Sequence, residues 1–215
     1  MEIFRLVFSP IEVNTYILAG QSGKCAIIDC GCFSSDESDK LTAFLDKKKL
    51  TPVLLLNTHC HIDHIFGNKM MLERYNLRTL CHTLEEKNRR DAVKHAMFFG
   101  LKMEDPPEPG GEITDGQEIS FGSIFLKAYH VPGHSAGSLA FYCGKDGVVF
   151  TGDALFKGSI GRTDLPGGDY ETLIKSIRSK LFVLPPATVV YPGHGDATTI
   201  VEEMRTNPHV ATGLI

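Results

Sequence analysis

The strongest constraint on this chain is a cluster of metal-ligand side chains that directly follows an apolar run. Residues 53–56 (Val-Leu-Leu-Leu) come after Pro52 and predict a buried strand. The residues just beyond that strand supply four candidate ligands, which are His59, His61, Asp63 and His64. Neutral imidazole and carboxylate groups are the ligands that suit zinc and iron. The sequence therefore predicts a metal site at the end of a buried strand.

Two neighbours in this cluster restrict its local structure. Asp63 and His64 are adjacent, and adjacent side chains diverge on regular secondary structure. We therefore expect either a tight, irregular loop or two metal ions that each take one of these residues. Cys60 lies between two of the histidines, where strand alternation predicts that its side chain points away from the metal.

The cluster, spaced His-x-His-x-Asp-His over residues 59–64, resembles the signature of the metallo-β-lactamase-fold hydrolases. Further ligands of that superfamily have matches in the same order, which are His134 after Pro132-Gly133, Asp153 after Thr151-Gly152 and His194 after Pro192-Gly193. The resemblance spans nearly the whole chain. It implies an α+β fold, the four-layer αββα sandwich, as a single domain over residues 1–215. The residues alone indicate two runs of strands, each followed by helices, which favours two sheets packed face to face.

The resemblance also implies two divalent metal ions. One ligand set would be His59, His61, His134 and Asp153. The other would be Asp63, His64, His194 and the same Asp153, whose two oxygens allow it to bridge. Zinc is the expected ion, with iron or manganese as alternatives. In this interpretation Asp63 and Asp153 are catalytic, and a hydroxide that bridges the metals attacks a carbonyl group.

Asp29 is a further candidate because it ends the apolar run 26–28. It can cap the turn through Cys30-Gly31. It can instead accept the ring N–H of a metal-bound histidine as an outer partner of the site. An aspartate forms the first motif of the superfamily, which favours the second interpretation.

The composition predicts the class of partner. The chain has 215 residues, a net charge of −4, 42% hydrophobic and 22% charged residues, which is ordinary for a globular protein. This acidic balance does not predict a nucleic-acid or membrane partner, so we expect a small-molecule substrate. The six cysteines are scattered and the N-terminal residues do not resemble a signal peptide, which favours a cytoplasmic protein with reduced thiols.

The loop over residues 158–164 (Gly-Ser-Ile-Gly-Arg-Thr-Asp) indicates the substrate class. With the histidine cluster, it is similar to the glyoxalase II group, which hydrolyses the thioester S-lactoylglutathione. Arg162 matches a basic residue of that group, whereas Asp164 replaces its aromatic partner. Arg162 is therefore a candidate for binding a substrate carboxylate, and an ion pair with Asp164 is the alternative. Only 21 residues (195–215) follow His194, so the chain is most similar to short bacterial members that lack a further helical domain.

Two other functions are compatible with these residues. Persulfide dioxygenases share the fold and the Gly-Arg-Thr-Asp loop, and they use one iron held by the positions that match His59, His134 and Asp153. A metal-binding protein without catalysis is the third class. The segment 98–111, rich in proline and glycine, either lines a substrate pocket or serves as a loop anchored on the core.

Hydrophobic periodicity and turn signals predict the secondary structure. Strands are expected over residues 2–8, 13–19, 24–29, 53–56, 78–82, 117–121, 124–131, 138–143, 148–151 and 187–191. Helices are expected over residues 34–50, 66–76 and 83–99, after Asp169, and near the C-terminus with Asp196 or Thr198 as its cap.

Overall fold

The first three strands form an antiparallel meander, as their turn signals predict. The computed structural model describes residues 1–211, and these form two units, one of residues 1–113 with 120–124 and one of the remaining residues. The strands of the first unit are β1 (Glu2–Phe8), β2 (Val13–Ala19), β3 (Lys24–Ile28), β4 (Thr51–Leu56), β5 (Leu80–Cys81) and β6 (Gly111–Glu112). They form one sheet in sequence order, in which β3 to β6 run parallel.

Helices connect the parallel strands of this first sheet. They are α1 (Ser35–Lys48), α2 (Ile62–Ile65), α3 (Asn68–Tyr75) and α4 (Glu86–Phe98), which follows a 3-10 turn at Thr83–Glu85. Leu41 and Leu45 of α1 are buried in the apolar cluster that contains Ile17, Ile27 and Leu55 of the sheet. Burial of this helical stripe stabilises the crossover that returns the chain to β4.

The register of the sheet decides which residues meet at its edge. Ile28 at the end of β3 pairs with Leu56 at the end of β4, and the two strands are parallel. The residues that follow, Asp29 and Asn57, therefore leave the sheet side by side. This edge is where loops after parallel strands carry functional groups in α/β sheets.

A second six-stranded sheet lies mostly in the second unit. Its chain order is β7 (Glu118–Phe121), β8 (Ile124–His130), β9 (Leu139–Cys143), β10 (Val148–Gly152), a hairpin of β11 (Leu155–Phe156) and β12 (Ser159–Ile160), β13 (Val189–Pro192) and β14 (Thr198–Thr199). The order across the sheet is β14-β13-β10-β9-β8-β7, and the β11–β12 hairpin stands outside it. The helices are α5 (Tyr170–Ser176), which continues as a π-helical turn to Leu181, and α6 (Ile200–Thr206).

The strand directions in the second sheet also place several carboxyl ends at one edge. β9 is antiparallel to both β8 and β10, and β13 is parallel to β10. The carboxyl ends of β8, β10 and β13 therefore lie at the same edge of the sheet. His134, Asp153 and His194 follow these three strand ends.

The secondary-structure predictions are confirmed in outline, with three corrections. Residues 66–67 are not in a helix, because α2 ends at Ile65 and α3 begins at Asn68. The helix expected over residues 83–99 starts as a 3-10 turn at Thr83–Glu85, where the His82 side chain accepts the hydrogen bond from Leu84 N–H. Thr199 caps α6 in place of the expected Asp196 or Thr198, because its side chain reaches the N–H of Glu202.

The α+β class is confirmed by the two sheets and their helices. The single domain over residues 1–215 stays a prediction, and residues 212–215 lie outside the described part of the chain. In the described residues 1–211, none of the helices combines the length and apolar character that a membrane span requires.

Candidate metal centre

In the first unit, Asp29 organises the cluster that the sequence singled out. Its backbone is left-handed, with φ of 54°, which turns the carboxylate toward the neighbouring strand end. Oδ1 accepts the backbone N–H of Thr58 at 2.8 Å, and Oδ2 accepts the Thr58 hydroxyl at 2.7 Å. Oδ2 also lies 2.9 Å from Nδ1 of His64. A single buried carboxylate thus contacts both Thr58, which directly precedes the candidate ligands, and His64, which is one of them.

These contacts determine the tautomers of two rings. An ionised carboxylate only accepts, so Nδ1 of His64 carries a proton and Thr58 donates its hydroxyl proton to Asp29. The Thr58 oxygen lies 3.1 Å from Nδ1 of His59 and therefore accepts a hydrogen bond from the N–H at that position. In both rings Nε2 is left as the lone-pair donor that a metal requires.

Asp63 and His64 lie on α2, a single helical turn. The irregular loop, one of the two alternatives expected for these residues, is therefore wrong. Their side chains also do not diverge, since Nε2 of His64 lies 3.6 Å from Oδ2 of Asp63. The His59 ring centroid lies 4.7 Å from that of His61 and 4.0 Å from that of His64.

Cys60 lies between two candidate ligands but belongs to an apolar cluster with Ile62, Ile65 and Cys81. Its hydrogen bond with Cys81 and its burial raise the pKa of the Cys60 thiol well above the ordinary value, so the thiol stays protonated. Its backbone N–H donates to the carboxylate of Glu85 at 2.8 Å. Cys60 therefore acts as a packing residue that fixes the backbone between His59 and His61.

In the second unit, two histidines face one carboxylate. Nε2 of His134 lies 3.6 Å from Oδ2 of Asp153, and Nε2 of His194 lies 3.7 Å from the same oxygen. Nδ1 of His134 is 2.8 Å from the carbonyl oxygen of Arg162. A carbonyl only accepts, so Nδ1 carries the proton and Nε2 presents its lone pair toward Asp153.

The distances between these imidazole nitrogens and carboxylate oxygens are those expected of two ligands of one cation, and not of a hydrogen bond. A distance of 3.6 Å is too long for a hydrogen bond. Ligand atoms about 2.0–2.2 Å from a tetrahedral zinc ion lie roughly 3.3–3.6 Å apart. Each unit therefore contains imidazole and carboxylate groups with the spacing and the protonation of metal ligands. Groups able to hold a metal include all seven candidates, which are His59, His61, Asp63, His64, His134, Asp153 and His194.

The loop over residues 158–164, here called the arginine loop, packs directly on this second group. A Cβ atom at Gly161 would collide with the carbonyl oxygen of Asp153 and lie 2.8 Å from Nδ1 of His134. Only glycine permits this approach. The Arg162 side chain points to solvent and binds Asp164 through Nε at 2.8 Å and Nη2 at 2.7 Å. This bidentate hydrogen bonding lowers the pKa of Asp164 to about 2.

Three residues that contact the cluster at residues 59–64 were not predicted from the sequence. Thr58 hydrogen-bonds both to the carboxylate of Asp29 and to Nδ1 of His59. The Asn57 amide donates to the carbonyl oxygen of His64 at 2.9 Å, and Glu85 is fully buried against the loop backbone. Of the three, only Thr58 could have been suspected from the sequence, because it directly precedes the first histidine of the cluster. The other two roles depend on tertiary contacts.

The segment 98–111 is both anchored and part of a cavity wall. Arg89 of α4 donates to the carbonyl oxygen of Pro106 at 3.0 Å and to the carboxylate of Glu108 at 2.8 Å. In the first unit, a cavity of about 540 Å³ is lined by the start of α1, by α3 and by Lys102, Met103, Glu104 and Pro106. Phe98 at the head of the segment is 83% exposed, so it does not join the core.

Comparison with known proteins identifies the family. Residues 9–194 match the model of the Metallo-beta-lactamase superfamily. The probable metallo-hydrolase YqgX of Bacillus subtilis (strain 168) is 36% identical over 205 residues, which covers 95% of each chain. Hydroxyacylglutathione hydrolase GloC of Haemophilus influenzae (strain ATCC 51907 / DSM 11121 / KW20 / Rd) is 33% identical over 210 residues, covering 97% of each chain.

Solved structures agree with this assignment. The BLEG-1 B3 metallo-beta-lactamase superposes with a TM-score of 0.88 at 32% identity, covering 97% of this chain and 99% of that chain. TTHA1623 in a di-iron-bound form gives a TM-score of 0.86 at 38% identity, covering 95% of this chain and 98% of that chain. The predicted metallo-β-lactamase fold is thus confirmed, and the chain belongs to the metallo-β-lactamase superfamily of metal-dependent hydrolases.

Proposed function

We propose that this protein is a binuclear metal-dependent hydrolase of thioesters such as S-lactoylglutathione, acting on a small-molecule substrate in the cytoplasm. The observation that carries the proposal is the distance of 3.6–3.7 Å between imidazole nitrogens and carboxylate oxygens. Such pairs occur in both units, at residues within the range that matches the family model. The relative named hydroxyacylglutathione hydrolase supports the thioester class, because it aligns over 97% of each chain.

The proposal assigns the seven ligands to two ions. One ion takes His59, His61, His134 and Asp153, and the other takes Asp63, His64, His194 and Asp153. Divalent ions in such a site supply a hydroxide nucleophile near neutral pH and polarise the carbonyl that it attacks. Zinc suits a thiolate leaving group, and iron and manganese are the alternatives that metal analysis would identify.

The protein's own residues supply orientation and charge. Asp29 and Thr58 hold the His59 and His64 rings in the tautomer with the proton on Nδ1. Asp63, close to Nε2 of His64, is placed to accept the proton of the attacking nucleophile. The overall reaction adds water across the C–S bond, so that the acyl group leaves as a carboxylic acid and the sulfur leaves as a thiol.

Arg162 is proposed to bind a carboxylate of the substrate. Its guanidinium is already held by Asp164, and 54% of its side chain is exposed. A substrate carboxylate must therefore compete with Asp164 for the same bidentate geometry. In the absence of substrate, the ion pair with Asp164 keeps the guanidinium extended on the loop. Arg162 thus combines the two roles considered from the sequence, which are substrate binding and the ion pair.

The deciding experiment measures thiol release from a panel of thioesters, together with metal content after expression without added chelator. We expect two zinc or iron ions per chain, cleavage of S-lactoylglutathione, and cleavage of thioesters of other thiols. Oxygen uptake on glutathione persulfide is measured in parallel, because residues 161–164 match the loop of persulfide dioxygenases. A cephalosporin is included because of the structural match to a B3 metallo-beta-lactamase. One iron per chain and oxygen uptake without thiol release would overturn the proposal.

A further inference from the structure

Helix α6 carries a buried carboxylate, Glu203, which has no part in the proposed chemistry. Its side chain is 0% exposed. Oε2 accepts the backbone N–H of Gly158 at 2.9 Å and the side-chain amide of Asn207 at 2.7 Å, and Oε1 accepts the hydroxyl of Thr198 at 2.7 Å. Burial of a charge is unfavourable unless such donors surround it, so the position is specified by these three partners.

Asn207 extends this contact along the arginine loop. It follows the last turn of α6 and is fully buried. Its amide group also donates to the carbonyl oxygen of Ser159 at 3.0 Å. Glu203 and Asn207 together hold an N–H and a C=O at the start of the loop, which restrains both its position and its orientation.

The other end of the loop contacts the metal-ligand group of the same unit. The carbonyl oxygen of Arg162 accepts the Nδ1 proton of His134 at 2.8 Å. The backbone at Gly161 packs on Asp153 and His134 so closely that a Cβ atom would collide. Only three residues separate Gly158 from Arg162, so we expect a displacement at one end of the loop to reach the ring of His134.

We infer that Glu203 is a positioning residue for the metal centre, acting through the arginine loop on the orientation of His134. The inference rests on the proposed metal site and goes beyond it, because it assigns a role in metal binding to a residue that is not a ligand. It does not depend on which substrate is hydrolysed. The competing explanation is that Glu203 only stabilises the packing of α6.

Three variants separate these explanations. Glu203→Met keeps the length of the side chain and removes both acceptors. Glu203→Gln keeps one oxygen for the Gly158 N–H, and its amide group can donate to the Thr198 hydroxyl. Glu202→Met is the matched control, because Glu202 is the preceding residue of α6 and pairs at the surface with Arg205.

The measurements are zinc affinity by competition with a chromophoric chelator and the visible absorption spectrum of the cobalt-loaded protein. Both are made at a temperature at which circular dichroism shows every variant to be folded. We expect Glu203→Met to weaken zinc binding about tenfold, the lower end of the range for outer-sphere partners, and to change the cobalt spectrum. Glu203→Gln should recover most of the affinity, and Glu202→Met should match the wild type.

A purely structural role predicts a different result. A folded Glu203→Met protein with wild-type zinc affinity and cobalt spectrum, and only a lower melting temperature, would overturn the inference. If Glu203→Met does not fold, Asn207→Ala tests the same link, because it removes the Ser159 contact and leaves the carboxylate with Gly158 and Thr198. Wild-type affinity in that variant would also overturn it.

The proposed function and this inference fail in different ways. Absence of thiol release from every thioester, with zinc binding that still depends on Glu203, refutes the thioester substrate and supports the inference. Absence of zinc binding by the wild-type protein refutes the metal site and the inference together. Thiol release with zinc affinity independent of Glu203 refutes the inference alone.

Discussion

Nδ1 of His134 donates a hydrogen bond to the carbonyl oxygen of Arg162 at 2.8 Å, which joins a proposed metal ligand to the residue proposed to bind the substrate. The contact uses the backbone of Arg162, whereas its guanidinium binds Asp164. Substitution of the side chain therefore leaves the support of His134 in place. Substrate binding and metal binding can be tested separately at this one residue.

Arg162→Ala should raise KM for thioesters whose thiol carries a carboxylate and leave kcat unchanged. An exposed ion pair contributes up to about 1 kcal/mol, which corresponds to a roughly fivefold change in KM. Steady-state kinetics on carboxylated and neutral thioesters test this, because the neutral substrates should show no change.

Asp164→Asn should have the opposite effect on KM. It removes the carboxylate that competes for the guanidinium, so KM for the carboxylated thioesters should fall below the wild-type value. An equal rise of KM in both variants would show that the Arg162–Asp164 pair acts as a structural unit and that the guanidinium does not bind substrate.

The titration of Asp164 supplies a second test of this pair. The guanidinium of Arg162 lowers the pKa of Asp164 from 3.8 to about 2. Because the folded-state pKa is the lower one, the ion pair is fully formed above pH 4 and is lost as the pH falls toward 2. We expect carbon NMR of the Asp164 carboxyl group to show this low pKa and Arg162→Ala to return it to the ordinary range. An unchanged low pKa in Arg162→Ala would show that another group causes the shift.

Most of the strands were accessible from the sequence, because alternation is a local signal. The spacing of residues 59–64 singled out four candidate ligands, whereas His134, Asp153 and His194 were predicted from the family resemblance. Strands β1 and β2 begin and end where their patterns predict. The helix that carries Asp63 and His64 was missed, because a single turn leaves no periodic pattern. Adjacent helical side chains diverge at Cβ, but the length of the imidazole ring brings Nε2 of His64 back toward Asp63.

The supporting contacts could not be predicted for a different reason. Glu85 and Glu203 each occur in a polar helical segment, where a carboxylate is ordinarily exposed. Their burial depends on which backbone N–H groups another part of the chain brings near. The role of Thr58 likewise requires that β3 and β4 be parallel neighbours, since only this register places Asp29 beside it.

Asp153→Asn should abolish hydrolysis and greatly reduce metal content while the chain stays folded. Oδ2 of Asp153 faces Nε2 of both His134 and His194, and an amide keeps the shape without the charge that two cations require. Elemental analysis and circular dichroism measure the two effects. Asp105→Asn, at an exposed position, is the control and should retain both metal and activity. Full metal content with normal turnover in Asp153→Asn would refute the binuclear site.

Asp29→Asn should weaken zinc binding about 10- to 100-fold without a change of any ligand. Asparagine tolerates the left-handed backbone at this position, so the substitution tests the carboxylate and not the turn. The two oxygens of Asp29 accept from Thr58 N–H, Thr58 O–H and His64 Nδ1–H, and an amide nitrogen must face one of these donors.

This buried mismatch should also lower the free energy of unfolding of the metal-free protein by about 1–3 kcal/mol. Urea denaturation of the metal-free protein and chelator competition measure stability and zinc affinity independently. Asp46→Asn, on the exposed face of α1, should change neither. Because His59 and His64 both take their tautomer from Asp29, NMR of the ring nitrogens should show altered Nδ1 protonation in at least one of them. Unaltered rings with unaltered zinc affinity would restrict Asp29 to a turn-forming role.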